Sequence, residues 1–249
     1  MAQSKNSLHD HITAVKKGER AFENAFQAVT RMILEKKIEK VIVNGKSTFD
    51  YVIFRDGEKH IIGMYDEINS FVSFVKDASQ GGSSREMAFV LVGEPGNGKT
   101  FLVEYLCSLY RQFLFRPENR RYTFRFNGLH QLGHYGNIDV IESQTYEDPM
   151  ILAMNLQETV EDSEKYLRRR YRIAEAGLEK WYENYRPLGA CSAFIWQNIR
   201  DYTAGDLEEM LKFVEIVPVP LVESLGTVTG KYPAKDKITS SAVDLLGEE

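Results

Sequence analysis

The chain has 249 residues, 43% hydrophobic and 27% charged, which is typical of one large globular domain or two small ones and excludes fibrous and disordered proteins. Its 31 Lys and Arg against 36 Asp and Glu give a net charge of −5, so no overall positive field favours a nucleic-acid partner. The longest apolar run, residues 87–92, is shorter than the about 18 residues of a membrane span, and the N-terminus lacks a signal-peptide pattern, so we expect a cytoplasmic protein with no membrane partner.

The first third of the chain predicts a helix, a short sheet and a second helix. Apolar residues recur at helical spacing over 20–37 and again over 65–78. Between them, β-branched and aromatic residues are interrupted by Asn44–Gly45 and Asp56–Gly57, dipeptides that tolerate positive φ. This pattern predicts a short antiparallel meander. We assign residues 1–62 to an N-terminal extension made of a helix and this meander.

The sequence then changes character. Residues 87–92, MAFVLV, form a continuous apolar stretch of the kind that is buried on both faces of a parallel sheet. A glycine-rich loop follows at 93–100, and 101–113 returns to helical spacing. Strand, loop and helix together predict an α/β fold, a P-loop parallel sheet core with helices on both faces. We assign residues 63–249 to this nucleotide-binding domain.

Further elements are predicted after the loop. They are a strand at 122–126, a helix opening at 149–156, one or two charged helices within 158–185, a helix after 201 and an edge strand or extended segment at 214–220.

The glycine-rich loop GEPGNGKT matches the Walker A pattern G-x-x-x-x-G-K-[ST] at every position. Its glycines let successive N–H groups point inward, and the helix that follows adds the positive end of its dipole. Lys99 would bring its charge to the β and γ phosphates, and the Thr100 hydroxyl would bind Mg²⁺. ATP and Mg²⁺ are therefore the expected cofactors. The predicted ATP-binding residues are Gly93, Glu94, Pro95, Gly96, Asn97, Gly98, Lys99 and Thr100.

Hydrolysis needs a further acidic residue, one that follows a neighbouring apolar strand and either fixes Mg²⁺ or polarises the attacking water. Two stretches come near this pattern. Glu215 follows Phe213-Val214, and Glu142 ends the stretch 138–142. Each is preceded by residues too few or too polar for a clear buried strand, so a solvent-facing carboxylate is the alternative at both positions. The catalytic residues stay unassigned.

Two charged or polar clusters have competing interpretations. Arg168–Arg170 with Arg172 could bind phosphate or supply an arginine finger, but interleaved acidic residues at i,i+4 spacing favour a solvated helix face. His130 and His134 could bind a metal ion. No third ligand is positioned beside them, so we interpret both as polar loop residues.

A second arginine cluster lies next to aromatic residues, an arrangement that could stack single-stranded nucleic acid. A surface loop leading into an edge strand is the interpretation we prefer. The residues are Arg116, Arg120, Arg121 and Arg125 with Phe115 and Phe124.

The residues around the loop resemble one family, the bacterial PrkA serine protein kinases, whose N-terminal part is an AAA+ ATPase domain. Gly63–Ile68 resembles the family's G-M-x-[DE] segment, and Gln144–Pro149 is similar to its short H-E-D-P-like element. A weaker likeness continues from Gly205–Asp206 to the stretch 235–246. The clear likeness covers about residues 62–156.

This resemblance implies an ATP-binding AAA+ module with Tyr65 and Ile68 on the adenine side. It implies ATPase and serine/threonine protein kinase (transferase) activity for complete family members. The chain lacks equivalents of H-R-D, D-F-G or V-A-I-K, and its match stops before the later AAA+ motifs and the C-terminal kinase-like region. We therefore expect a module truncated on its C-terminal side, and hydrolysis or phosphotransfer is doubtful for this chain alone.

The alternative is a non-hydrolysing, nucleotide-gated interaction or assembly module. AAA+ modules usually complete their sites with an arginine from a neighbouring subunit, so the resemblance also implies a homo-oligomer or a partner protein.

Overall fold

The computed structural model describes residues 7–57, 60–94, 96–133 and 135–221. Within these ranges the chain forms a mixed α/β structure. The helices are Leu8–Lys16 (α1), Ala25–Leu34 (α2), Tyr65–Ser79 (α3), Lys99–Phe115 (α4), Pro149–Met154 (α5), Val160–Tyr171 (α6), Glu175–Tyr182 (α7), Ala190–Tyr202 (α8) and Leu207–Leu211 (α9). The strands are Ile38–Val43 (β1), Lys46–Tyr51 (β2), Tyr122–Phe126 (β3), Ile141–Glu142 (β4) and Val214–Pro218 (β5).

Polar side chains fix where the first two helices begin. The Ser7 hydroxyl accepts from the backbone N–H of Asp10 and starts α1, a helix that the sequence analysis did not predict. Asn24 and Gln27 form a reciprocal capping box at the start of α2. The predicted helix over 20–37 is confirmed but begins later, because the cap at Asn24 excludes the residues before it.

The predicted meander is a two-stranded hairpin. β1 and β2 pair antiparallel, with Val43 opposite Lys46. Asn44 and Gly45 both have positive φ, +50° and +76°, as the tight turn between twisted strands requires. Residues 61–62 add no third strand. Asn44–Gly45 thus predicted the hairpin turn correctly, whereas Asp56–Gly57 is followed by no further strand at residues 60–64.

The second sheet has the order β4-β3-β5, and both of its pairings are antiparallel. The predicted parallel sheet core is therefore not confirmed in the described part of the chain. β5 lies at an edge, as predicted, with Phe124 of β3 opposite its Ile216. The elements predicted at 149–156 and within 158–185 correspond to α5, α6 and α7.

The apolar stretch 87–92 differs most from its prediction. Its backbone joins no sheet, and the side chains of Val90 and Val92 are 72% and 89% exposed. Only Phe89 finds aromatic neighbours, packing edge-on against Phe71 and tilted against Phe74 of α3. The expectation of a buried strand is corrected here, because no described strand pairs with this stretch and a parallel strand needs neighbours on its edges.

Two hydrophobic clusters hold the molecule together. The first packs α1, the three-stranded sheet, α5, α6 and α8 around fully buried side chains such as Phe124 and Leu152. The second joins α2, α3 and α4 with the residues after the hairpin, including Phe54 and Phe113. The domain boundary predicted between residues 62 and 63 stays a prediction. No helix in the described ranges has the length and apolar character needed to cross a bilayer.

Candidate functional site

The glycine loop leads directly into α4. Gly96 and Gly98 adopt φ of +90° and +73°, in the left-handed region that costs other residues about 1–2 kcal/mol. Gly98 is the N-cap of α4, and its carbonyl accepts the first intrahelical hydrogen bond, from Leu102 N over 2.8 Å. The glycines therefore allow the sharp turn that places residues 93–98 ahead of the helix. The predicted ligand Pro95 lies outside the described residues.

The side chain of Lys99 binds the backbone of the loop that precedes it. Its ammonium group Nζ donates to the carbonyl oxygens of Gly93, at 2.8 Å, and Glu94, at 2.6 Å. Both contacts are exposed, so water and ligands reach the charge. A phosphate oxygen that entered the loop would compete for the same three donors of Lys99.

The N-terminal end of α4 is electrostatically suited to an anion. No side chain caps it, and its first turn contains no acidic residue. The first N–H groups of a helix lack intrahelical acceptors and carry the positive end of the helix dipole. Thr100 is exposed in this first turn. The loop backbone, the N-terminal end of α4 and the charge of Lys99 together therefore suit a phosphate group.

Tyr65 and Ile68 stand at the start of α3 and line a cavity of about 260 Å³. Met64, which precedes them, lines the same cavity. Its Sδ lies 3.3 Å from where a Cβ on Gly98 would be. The cavity therefore adjoins the glycine loop, and the two residues expected on the adenine side lie beside it.

The two candidate acidic residues are engaged elsewhere. Glu215 accepts from Arg125 Nε at 2.9 Å and from Asn127 Nδ2 at 2.7 Å. The hydrogen bond from Asn127, with that from Arg125, holds the pKa of Glu215 below its usual range. Glu142 is more than half exposed, and its Oε1 lies 3.9 Å from Arg125 Nη1. In the described part of the chain, neither carboxylate contacts the loop.

The other charged clusters have structural roles. Arg168–Arg170 are exposed on α6, and Arg168 pairs with Glu175 at 3.0 Å, which confirms the solvated face. His130 Nδ1 contacts Asp139 Oδ1, while His134 lies outside the described residues. The described ranges hold no group of three His, Cys, Asp or Glu side chains suited to a metal ion.

The arginines of 116–125 mostly find partners within the chain. Arg116 pairs with Glu35 at 2.5 Å, Arg121 Nη1 donates to the backbone oxygen of Glu23 at 2.6 Å, and Arg125 pairs with Glu215. These contacts favour the surface interpretation over base stacking.

Glu147 is a buried charged residue that was not predicted from the sequence. Glu147 is 3% exposed and accepts hydrogen bonds from Ser143 Oγ at 2.9 Å, Gly189 N at 2.7 Å and Ser192 Oγ. The only sequence signal was its place within Gln144–Pro149. Three donors satisfy the buried carboxylate, so it fixes α8 and the loop before it against this segment.

Comparison with known proteins agrees with the loop geometry. The family model described as the PrkA AAA domain matches residues 6–122, a range that includes 93–100, Tyr65 and Ile68. The match begins further upstream than the likeness over 62–156 and ends earlier. No curated protein and no solved structure matched the chain. Residues 6–122 are therefore similar to the PrkA AAA domain, which supports a nucleotide-binding AAA module in this part of the chain.

Proposed function

We propose that this chain binds Mg-ATP through residues 93–100 as the ATP-binding module of a PrkA-like serine protein kinase. The observation that carries the proposal is the position of Lys99, whose ammonium group lies across the mouth of the loop beside the uncapped end of α4. Gly96 and Gly98, both at positive φ, make room for the phosphates.

Lys99 would exchange its bonds to Gly93 O and Glu94 O for bonds to β- and γ-phosphate oxygens. The first N–H groups of α4 would donate to the same phosphates. The Thr100 hydroxyl, a hard oxygen donor exposed in the first turn of α4, fits a Mg²⁺ ion that also takes phosphate oxygens. The bound ion would neutralise part of the phosphate charge.

Tyr65 and Ile68 would lie on the adenine side of the nucleotide. Their cavity of about 260 Å³ is smaller than the roughly 300–1,000 Å³ of pockets that enclose a whole ligand. A base held there, with its phosphates outside at the loop, would fit both the small volume and the position of Met64 between the cavity and Gly98.

Turnover by this chain alone is not part of the proposal. Glu215 is held by Arg125 and Asn127 on the antiparallel sheet, so these contacts keep it from the water-activating role. This favours a second candidate, a module that holds nucleotide without hydrolysing it and assembles with a partner or another copy. Light scattering with and without nucleotide tests assembly.

The binding proposal is tested with a fluorescent ATP analogue and Mg²⁺. Lys99→Ala should weaken binding at least about tenfold, because a charge-assisted contact contributes about 1.5–3 kcal/mol. Lys76→Ala is the matched control, since Lys76 is an exposed lysine of α3 and should leave affinity unchanged. Full affinity in Lys99→Ala would refute the proposal.

Phosphate release at saturating ATP and Mg²⁺, measured against a blank without protein, separates the two candidates. Release that Lys99→Ala abolishes would exclude the non-hydrolysing module. Release at the level of the blank, with binding intact, would support it.

A further inference from the structure

A second cavity, of about 430 Å³, lies where the two hydrophobic clusters meet. Phe22 and Tyr122 belong to the first cluster, Tyr110 and Leu114 to the second, and all four line it. Its volume lies in the roughly 300–1,000 Å³ range of small-molecule sites, which favour such junctions between packed units.

The charges around this cavity are unbalanced. Arg85, Arg121 and Arg186 line it, against the carboxylates of Glu23 and Asp148. The charge of Glu23 is already neutralised by Arg31, which does not line the cavity and donates to the Glu23 carboxylate from Nη2 at 2.6 Å and Nε at 3.0 Å. Three guanidinium groups therefore line the cavity with one carboxylate, that of Asp148, which is not already bound by an arginine from outside, and this leaves the cavity positive.

Asp148 lines the cavity together with two of these arginines, Arg121 and Arg186. Its side chain is 18% exposed. Burial raises its pKa to about 6, while the hydrogen bond from Met150 N and the charges of Arg121 and Arg186 act in the opposite direction. Both guanidinium groups thus lie within electrostatic reach of the same carboxylate. In the described part of the chain Arg186 forms no ion pair, and the bond of Arg121 Nη1 to Glu23 O leaves its other donors available.

The walls of the cavity are aromatic. Tyr122, Tyr146 and Tyr185 line it beside the arginines. Tyr146 has a φ of +50°, a left-handed conformation that is uncommon for a bulky residue and costs of order 1–3 kcal/mol. Strain of this kind is concentrated at functional sites, and the strained Tyr146 lines a positive cavity.

We propose that this cavity binds a small aromatic anion, whose phosphate or carboxylate group is held by Arg121 and Arg186 and whose ring packs against the tyrosines. The site is separate from the glycine loop. Tyr110 follows Lys99 by eleven residues of α4, about 16 Å at the rise of an α-helix.

Calorimetric titration of the full chain with phenyl phosphate tests this site. Phenyl phosphate should bind the unmodified chain and Lys99→Ala alike, because the site does not use the loop. Arg186→Gln should weaken binding at least about tenfold. Arg169→Gln, which removes an exposed arginine of α6, should leave it unchanged.

The absence of saturable binding would overturn the proposal, and so would equal weakening by both arginine variants or loss of binding in Lys99→Ala. Inorganic phosphate that binds as tightly as phenyl phosphate would also contradict it, since the ring would then contribute nothing. Benzoate binding tighter than phenyl phosphate would support the site and assign it to carboxylates, and the reverse order would assign it to phosphate esters.

Asp148→Asn gives a test in the opposite direction. Asn caps a helix about as well as Asp, so the cap of α5 is kept while the competing charge is removed. Phenyl phosphate should then bind several-fold more tightly. Unchanged or weaker binding would show that the two arginines do not converge on a shared anion position.

Discussion

Nη1 of Arg20 donates a hydrogen bond to Nδ1 of His11 over 2.8 Å. A guanidinium group only donates, so Nδ1 accepts and the neutral imidazole carries its proton on Nε2. This Nε2 is buried without a hydrogen-bond partner, and Asp148 Oδ1 lies 4.0 Å away. Burial, with the charge of Arg20 as a second cause, lowers the pKa of His11 to about 3.

Acid should destabilise the chain through His11. The unfolded chain takes up the proton near pH 6.5 and the folded chain only near pH 3, so stability present at neutral pH is lost as the pH falls below about 6.5. This amounts to about 2 kcal/mol between pH 6.5 and roughly pH 5. Urea unfolding at a series of pH values should show a flatter profile for His11→Gln.

Asp148 has the opposite effect on the pH dependence of stability and provides the control. Its pKa in the folded chain is raised to about 6 from 3.8. Its contribution is therefore complete below about pH 3.8 and is lost as the pH rises through 6. Asp148→Asn should steepen the loss of stability on acidification. A profile of His11→Gln parallel to that of the unmodified chain would contradict the role of His11.

Gly98→Ala should weaken nucleotide binding beyond its effect on stability. The added Cβ would meet Met64 Sδ at 3.3 Å, at a φ of +73°. Gly205→Ala is the matched control, because Gly205 has a φ of +77° and open space around it. Both variants should lose about 1–2 kcal/mol in urea unfolding. Only Gly98→Ala should reduce affinity for the fluorescent nucleotide, and equal affinities would contradict the role of the loop.

Truncation of the Val92 side chain should change the free energy of unfolding very little. Val92 is 89% exposed, whereas Val219, also outside regular secondary structure, is 5% exposed. Val92→Ala should change the free energy of unfolding by less than about 0.5 kcal/mol, and Val219→Ala should lower it by about 1–2 kcal/mol. A comparable loss in both would mean that residues 87–92 are buried in solution, as their apolar pattern predicted.

Glu147→Ala should be among the more destabilising single substitutions. It removes the acceptor for Ser143, Ser192 and Gly189 N and leaves those donors unpaired in the interior, at about 3 kcal/mol. Glu179→Ala, at an exposed position of α7, should change stability by less than about 0.5 kcal/mol. Urea midpoints measure both. Similar midpoints for the two variants would show that the carboxylate of Glu147 is hydrated rather than buried.

The candidate site could be predicted from the sequence because its determinants are local. The pattern of residues 93–100 specifies a turn, a helix start and a lysine within eight positions, and the structure has α4 beginning at Lys99. Asn44–Gly45 likewise specified the hairpin turn, and Asn24 set the start of α2. Each signal acts through backbone conformation or a hydrogen bond to a residue a few positions away.

Burial could not be predicted in the same way, because residues far apart in the chain decide it. The apolar pattern of 87–92 was compatible with a central strand, yet only a paired neighbour makes a strand buried, and the described structure provides none. His11 is far from Asp148 in the sequence, and Glu147 is far from Ser192, so these buried polar contacts could not be predicted either. The sequence by itself determined the loop, the hairpin turn and the helix starts. Tertiary structure alone decided which side chains are buried and which charged groups line the same cavity. The reason is that desolvation and the proximity of charges depend on packing between distant segments.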